Sequence, residues 1–144
     1  MVKHHFDMQL DWKGGRNDVG TLQAERLQTA ISIPPEMDGP GVGTNPDEML
    51  LGAAATCFVI TLAAMCERSN LQAALRCQSH ATVDVTNGVF TYEAITHHMT
   101  FTLGERTEAN EALATKLAHK AESTCMISKA LKGNVEINIE ITFD

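Results

Sequence analysis

The chain has 144 residues, 44% of them hydrophobic and 20% charged, a length for one folded core and a composition unlike that of disordered or fibrous chains. Eleven Lys and Arg stand against 18 Asp and Glu for a net charge of −7, with the basic residues scattered, so nucleic acid is not an expected partner. The opening MVKHHFDMQLDW lacks the apolar segment of a signal peptide, which predicts a cytoplasmic protein whose four cysteines are thiols rather than structural disulfides. One domain spanning residues 1–144 is expected.

The chain starts as a β-meander. Met8, Leu10 and Trp12 alternate with Gln9 and Asp11, Gly14-Gly15-Arg16-Asn17-Asp18 supplies a turn, and an extended pattern resumes from Val19 to Ile33. Pro34, Pro35, Pro40 and Pro46, together with Gly39, Gly41 and Gly43, then predict a long loop without regular structure, of the kind that often lines a site. Asn45 as N-cap, Pro46 at the first helical position and Glu48 in a capping box predict a helix to about Asn70. Its stretch from Met49 to Cys66 is uncharged and close to the length of a bilayer span. It is rich in Ala, Gly and Thr and is opened by Asp47 and Glu48, so a buried central helix is expected, with no membrane partner.

Two β-rich runs, 74–86 and 89–103, flank Asn87-Gly88, the preferred type I′ hairpin pair, and the alternation slips near 93–95, as at a bulge. A second helix is predicted over 107–123, then a break at Ser123-Thr124-Cys125, a short helical turn from Met126 to Lys132 and a closing strand with Val135, Ile137, Ile139, Ile141 and Phe143 on one face. The order βββ-α-ββ-α-β describes an α+β domain with antiparallel sheet. Neither a GxGxxG nor a Walker A pattern is present.

The cysteines carry the candidate chemistry. Cys57 and Cys66 lie about two and a half turns apart on one helix and point in opposite directions. With no CxxC there is little support for structural zinc or a thioredoxin-type dithiol, and Cys66 and Cys77 read as small buried hydrophobes. Cys125 falls at the N-cap of a short helix, where unpaired backbone N–H groups stabilise a thiolate. Cys57, in mid-helix, reads as an inert core thiol unless a cation is brought to it. Neighbours in His4-His5 and His97-His98 face opposite sides of a strand and cannot share one metal, and His119 reads as a helix-surface residue, so no metal is expected.

The string Gly43-Thr44-Asn45-Pro46-Asp47-Glu48-Met49-Leu50 running to Ala54-Ala55-Thr56-Cys57-Phe58, with Cys125-Met126-Ile127-Ser128-Lys129-Ala130 further on, closely resembles the OsmC/Ohr family of osmotically inducible and organic hydroperoxide resistance proteins. The order of elements is similar over nearly the whole chain. The resemblance implies an OsmC-like fold, an intertwined homodimer with sites at the interface, and a thiol-dependent peroxidase acting on organic hydroperoxides. Cys57 would be the peroxidatic thiolate and Cys125 the resolving thiol, reset by an external dithiol such as a lipoyl group, with no bound cofactor. Arg16 would supply the cation and Asp47 would orient it, with Arg26 the weaker candidate. An apolar substrate pocket would be drawn from Met49, Phe58, Met126 and Ile127.

Two positions depart from the family pattern: Met126 stands where proline is common, and Asp47 where glutamate is usual. Along one helix Asp47 and Cys57 are about 15 Å apart, so a site using both would take them from different subunits. Gly52, Ala53, Ala54 and Ala55 are small enough for close helix approach. The alternative reading is a dimeric binding or redox-sensing module of the same fold with little peroxidase activity. A cysteine hydrolase is disfavoured, because no histidine is placed as its base.

Overall fold

The computed structural model describes all residues, 1–144. Contacts gather in two units, Met1–Met49 and Leu50–Asp144.

In the first unit, β1 (Met8–Asp11), β2 (Gly20–Ala24) and β3 (Gln28–Ile31) form the expected antiparallel meander. The β1–β2 turn is fastened by its side chains: Trp12 Nε1 donates to the Gly15 carbonyl at 2.9 Å, and the Asp18 carboxylate accepts the Gly15 N–H at 2.6 Å. The proline-rich loop is more ordered than the sequence suggests, since Pro35–Met37 forms a 3₁₀ turn. Ser32 holds its far end, donating from Oγ to the Val42 carbonyl at 2.8 Å and accepting the Val42 N–H at 2.7 Å. Gly43, at φ 70°, lies against the Ala30 backbone so closely that any Cβ would collide.

The first helix, α1 (Pro46–Arg68), starts as its capping residues predict. Asn45 Oδ1 accepts the Glu48 N–H at 2.9 Å, while the Glu48 carboxylate takes the Thr44 hydroxyl at 2.8 Å in place of the cap N–H of a full capping box. The second unit continues with β4 (Ala73–Thr86) and β5 (Val89–Leu103), joined at Asn87 (φ 52°) and Gly88 (φ 73°), the positive φ angles a type I′ turn requires. Thr82 pairs with Ala94 and Val83 with Tyr92, so Glu93 is the extra residue of the expected bulge. Next come α2 (Glu108–Thr124), capped by Thr107 Oγ1 accepting the Asn110 N–H at 3.1 Å, then α3 (Met126–Leu131) and β6 (Glu136–Phe143).

One pairing corrects the antiparallel expectation: β6 runs parallel to β5, giving the order β4-β5-β6. The β5-to-β6 connection passes through two helices, the kind of crossover that parallel neighbours require. Alternation along β5 turns Ile95, His97, Met99 and Phe101 inward, all at 0% exposure. The core also takes Phe58, Leu62 and Met65 from α1 and Ala114, Leu117, Ala118 and Ala121 from α2, and Phe101 stacks on Phe143 at 5.5 Å. Burying a side chain such as Phe58 or Leu62 contributes about 1.5–3 kcal/mol.

The expectation of a buried central helix holds for only one face of α1. Ala54, Phe58, Leu62, Met65 and Cys66 are buried, while Ala53, Thr56, Ile60 and Ala63, on the opposite side at the same helical spacing, are exposed.

Candidate active site

At about 100° per residue, Cys57 lies at the edge between these two faces of α1 and is half-buried. It therefore sits against the core without being sealed in it. The second thiol comes from the junction of α2 and α3. Cys125 leaves the helical path (φ −64°, ψ 141°), donates its N–H to the Ala121 carbonyl at 2.9 Å and becomes the N-cap of α3, accepting the Ser128 N–H on Sγ at 3.4 Å. Its Sγ–H donates to Ser128 Oγ at 3.0 Å, and the residue is only 2% exposed.

These elements bring the thiols together. Burial is the largest influence on Cys57 and opposes its ionisation, but hydrogen bonds from the Ile127 N–H, Cys125, the Met126 N–H and Thr61 together outweigh it and hold the thiol below its usual pKa. For Cys125 the balance reverses. Burial pushes it up, the Ser128 hydrogen bonds pull it down, and Cys57 pushes it up again, leaving it above the usual thiol value. The single Cys125 proton thus has two acceptors, Ser128 Oγ and the Cys57 sulfur, and its presence favours a Cys57 thiolate beside a Cys125 thiol.

The sequence reading assigned the thiolate-stabilising N–H groups to Cys125 and left Cys57 dependent on a cation. In the structure Cys125 does take the Ser128 N–H as N-cap, while the Met126 and Ile127 amides lower the Cys57 pKa. Two other participants could have been found from spacing alone: Thr61 is one helical turn after Cys57, and Ser128 stands at the third position after an N-cap. Cys66 and Cys77 have raised thiol pKa values through burial, as expected of structural cysteines.

The remaining predicted residues occupy varied settings. Arg16, in the first unit, donates to the Met37 carbonyl at 2.8 Å, the Asp38 carbonyl at 3.3 Å and Asn17 Oδ1 at 2.8 Å, so its guanidinium is tied to the proline-rich loop. Arg26 makes an exposed ion pair with Glu25 at 3.3 Å. Asp47 lies in the first turn of α1, and Met49 is half-buried on the same helix. Phe58, expected in a pocket wall, is fully buried and stacks on His97 at 5.0 Å, while Met126 is 72% exposed and Ile127 half-buried. His97 Nδ1 is 2.6 Å from Ser79 Oγ, its Nε2 is buried without a partner, and burial lowers its pKa.

A mixed α+β fold presenting one cysteine from a long apolar helix and a second from a helix junction defines a two-cysteine protein of OsmC type, and the chain belongs to the OsmC family. The family model described as OsmC-like protein matches residues 39–140. The chain is 57% identical over 142 residues to YmaD of Bacillus subtilis (strain 168), covering 97% of this chain and 95% of YmaD. It is 24% identical to organic hydroperoxide resistance protein-like 2 of Staphylococcus saprophyticus, with 99% of each covered. Among solved structures, the fold is similar to an OsmC-like protein of Vibrio cholerae (TM-score 0.81, 12% identity, 96% and 99% covered) and to an organic hydroperoxide resistance protein OsmC of Legionella pneumophila (TM-score 0.79, 22% identity, 99% of each covered).

Proposed function

We propose that the protein is a thiol-dependent peroxidase that reduces organic hydroperoxides through a cycle of two cysteines. The observation that carries this reading is the pairing of Cys57, held below its usual pKa, with Cys125, which stands beside it and keeps its proton. The Cys57 thiolate attacks the distal oxygen of ROOH, the O–O bond breaks, and the alcohol ROH leaves after taking up a proton. Cys57 is left as a sulfenic acid. The Cys125 sulfur then attacks Cys57 Sγ, water departs and a Cys57–Cys125 disulfide forms; an external dithiol such as a lipoyl group returns both thiols. No bound cofactor is required. The hydroperoxide resistance proteins among the relatives and neighbours support the choice of substrate class.

In this reading Arg16 is the cation facing the peroxide and Asp47 orients it, with both drawn to the thiol of a second subunit in a homodimer. The uncovered side of α1 supports dimerisation: Ile60 is 65% exposed on an uncharged stripe with Ala53, Thr56 and Ala63, and Met8, Leu10 and Trp12 of the first unit are also exposed. Met126 and Ile127, beside Cys57, would meet the alkyl part of the substrate together with Met49. The fully buried Phe58 would back the pocket from the core. The cytoplasm, where thiols stay reduced, is the fitting compartment.

Steady-state consumption of cumene hydroperoxide with a dithiol reductant tests the proposal. Cys57→Ser is expected to abolish turnover and Arg16→Ala to lower it by at least about tenfold, the scale of one removed charge-assisted contact. Full activity in Cys57→Ser would refute the proposal.

A further inference from the structure

Cys125 is the N-cap of α3, and Ser128 is the third residue after it. In an ordinary capping box the side chain at that third position reaches back to the N–H of the cap. Here that N–H is already given to the Ala121 carbonyl at 2.9 Å, because α2 ends where α3 begins. The Ser128 hydroxyl lies instead 3.0 Å from Cys125 Sγ, and the Ser128 N–H meets the same sulfur at 3.4 Å. Both residues are closed to solvent, Cys125 at 2% exposure and Ser128 at 4%. We propose that Ser128 is the positioning residue of the resolving thiol: its hydroxyl accepts the Cys125 S–H while the thiol holds its proton, and turns to donate to the sulfur as the proton leaves. The proposal rests on the two-cysteine reading and adds to it the group that carries Cys125 through its anionic form.

Attack on Cys57 Sγ requires the Cys125 thiolate. In the peroxide cycle the Cys57 S–O bond breaks, the S–S bond forms, and the proton from Cys125 departs with the sulfenic hydroxyl as water. Bulk water cannot solvate the anion at so closed a sulfur, so protein donors must meet its charge. Ser128 offers two of them. Its N–H is fixed by the helix, while its hydroxyl changes from acceptor to donor by rotation about a single bond. Burial pushes the Cys125 pKa up most strongly, the two Ser128 contacts pull it down and Cys57 pushes it up again, so Ser128 works against both of the other influences.

Ser128→Ala removes the hydroxyl and keeps the N–H, so the cap of α3 survives. Losing one hydrogen bond to a charged group makes Cys125 about tenfold less acidic. Less thiolate then forms at neutral pH, but each thiolate is the better nucleophile, by about threefold for a tenfold loss of acidity. The attack is therefore slowed about threefold at neutral pH and accelerated about threefold where Cys125 is fully ionised. A contact that merely held the fold would change the rate in one direction at every pH.

The test uses the full reduced chain and dithiobis(nitrobenzoate) in place of peroxide. At mildly acid pH the Cys57 thiolate displaces one nitrothiobenzoate and keeps the other in a mixed disulfide. Excess reagent is removed, and a jump to higher pH lets Cys125 attack Cys57 Sγ, which closes the Cys57–Cys125 disulfide and releases the second coloured thiolate. Cys125→Ser, which cannot release it, identifies this phase. In Ser128→Ala the pH profile of release is expected to cross that of the parent, about threefold lower at neutral pH and about threefold higher on the alkaline plateau. Loading of Cys57 should be unchanged, and Ser128→Thr should restore the parent profile. Release slowed by one factor at every pH, or an unchanged profile, overturns the proposal. If hydroperoxide leaves the thiols untouched while the pH jump closes the disulfide, the peroxidase reading fails and the crossing still decides the role of Ser128; if the parent chain releases no second thiolate, both fail.

Discussion

Cys57 and Cys125 bias each other's ionisation in opposite senses, Cys125 favouring the Cys57 thiolate and Cys57 raising the Cys125 thiol, so that Cys57 lies below and Cys125 above the usual thiol value. Burial acts against ionisation at both sulfurs, so the difference lies in their donors: the Met126 and Ile127 amides, Thr61 and Cys125 itself converge on Cys57. One group is prepared as nucleophile and the other keeps its proton.

This asymmetry sets the order of alkylation. With iodoacetamide at neutral pH, Cys57 is expected to react first, with a rate profile whose midpoint lies below that of an ordinary cysteine. Cys66, Cys77 and Cys125 should titrate above it, as their raised pKa values require. Peptide mapping across a pH series reads all four thiols at once, and Cys125 labelling ahead of Cys57 would reverse the assignment.

Met126 supplies a donor that proline, common at this place in the family, cannot. Met126→Pro should be tolerated in the fold, because the residue is exposed, occupies the first position of α3 and follows Cys125 in extended geometry at ψ 141°. Losing about 1 kcal/mol of hydrogen bonding predicts roughly a fivefold slower alkylation of Cys57 at pH 7 with little change in melting temperature. An unchanged rate would mean that the Ile127 amide and the side-chain donors are sufficient.

His97 predicts an acid-sensitive core. Burial lowers its pKa in the folded chain, so the unfolded chain binds the proton more readily. Its neutral form is fully accommodated above about pH 6.5, the unfolded value, and stability falls as pH drops from there toward the folded value. Thermal unfolding between pH 7.5 and 5.5 should show this loss, and His97→Phe should flatten the slope while keeping a ring stacked on Phe58.

The exposed stripe on α1 predicts self-association. Ile60→Asp should shift sedimentation from dimer toward monomer and lower peroxide turnover with it, since a buried unpaired carboxylate costs several kcal/mol at an interface. A monomeric parent protein, or a dimer indifferent to this change, would remove the support that α1 gives to an interfacial site.

Most of the secondary structure was legible because its signals are local. Asn45-Pro46 started α1, Asn87-Gly88 turned the hairpin, the slip near Glu93 marked the bulge, and alternating isoleucines marked β6. The parallel pairing of β6 was not legible, since alternation fixes which residues share a face and leaves strand direction open. The two thiols could be named from their motifs, but their division of roles was misread in one respect. Which of α3's amides serve their own N-cap and which serve Cys57 is decided by tertiary packing, which leaves no mark on local spacing. The buried contact of His97 with Phe58 and Ser79 was hidden for the same reason.

The most direct measurement is the mass and peptide map of the reduced protein after about one equivalent of cumene hydroperoxide, taken in parallel on Cys125→Ser. The account predicts loss of two hydrogens localised to a Cys57–Cys125 linkage in the parent chain. In Cys125→Ser it predicts a Cys57 sulfenic acid that a dimedone-type reagent captures. An unchanged mass, or slow oxidation spread over Cys66 and Cys77, would contradict it.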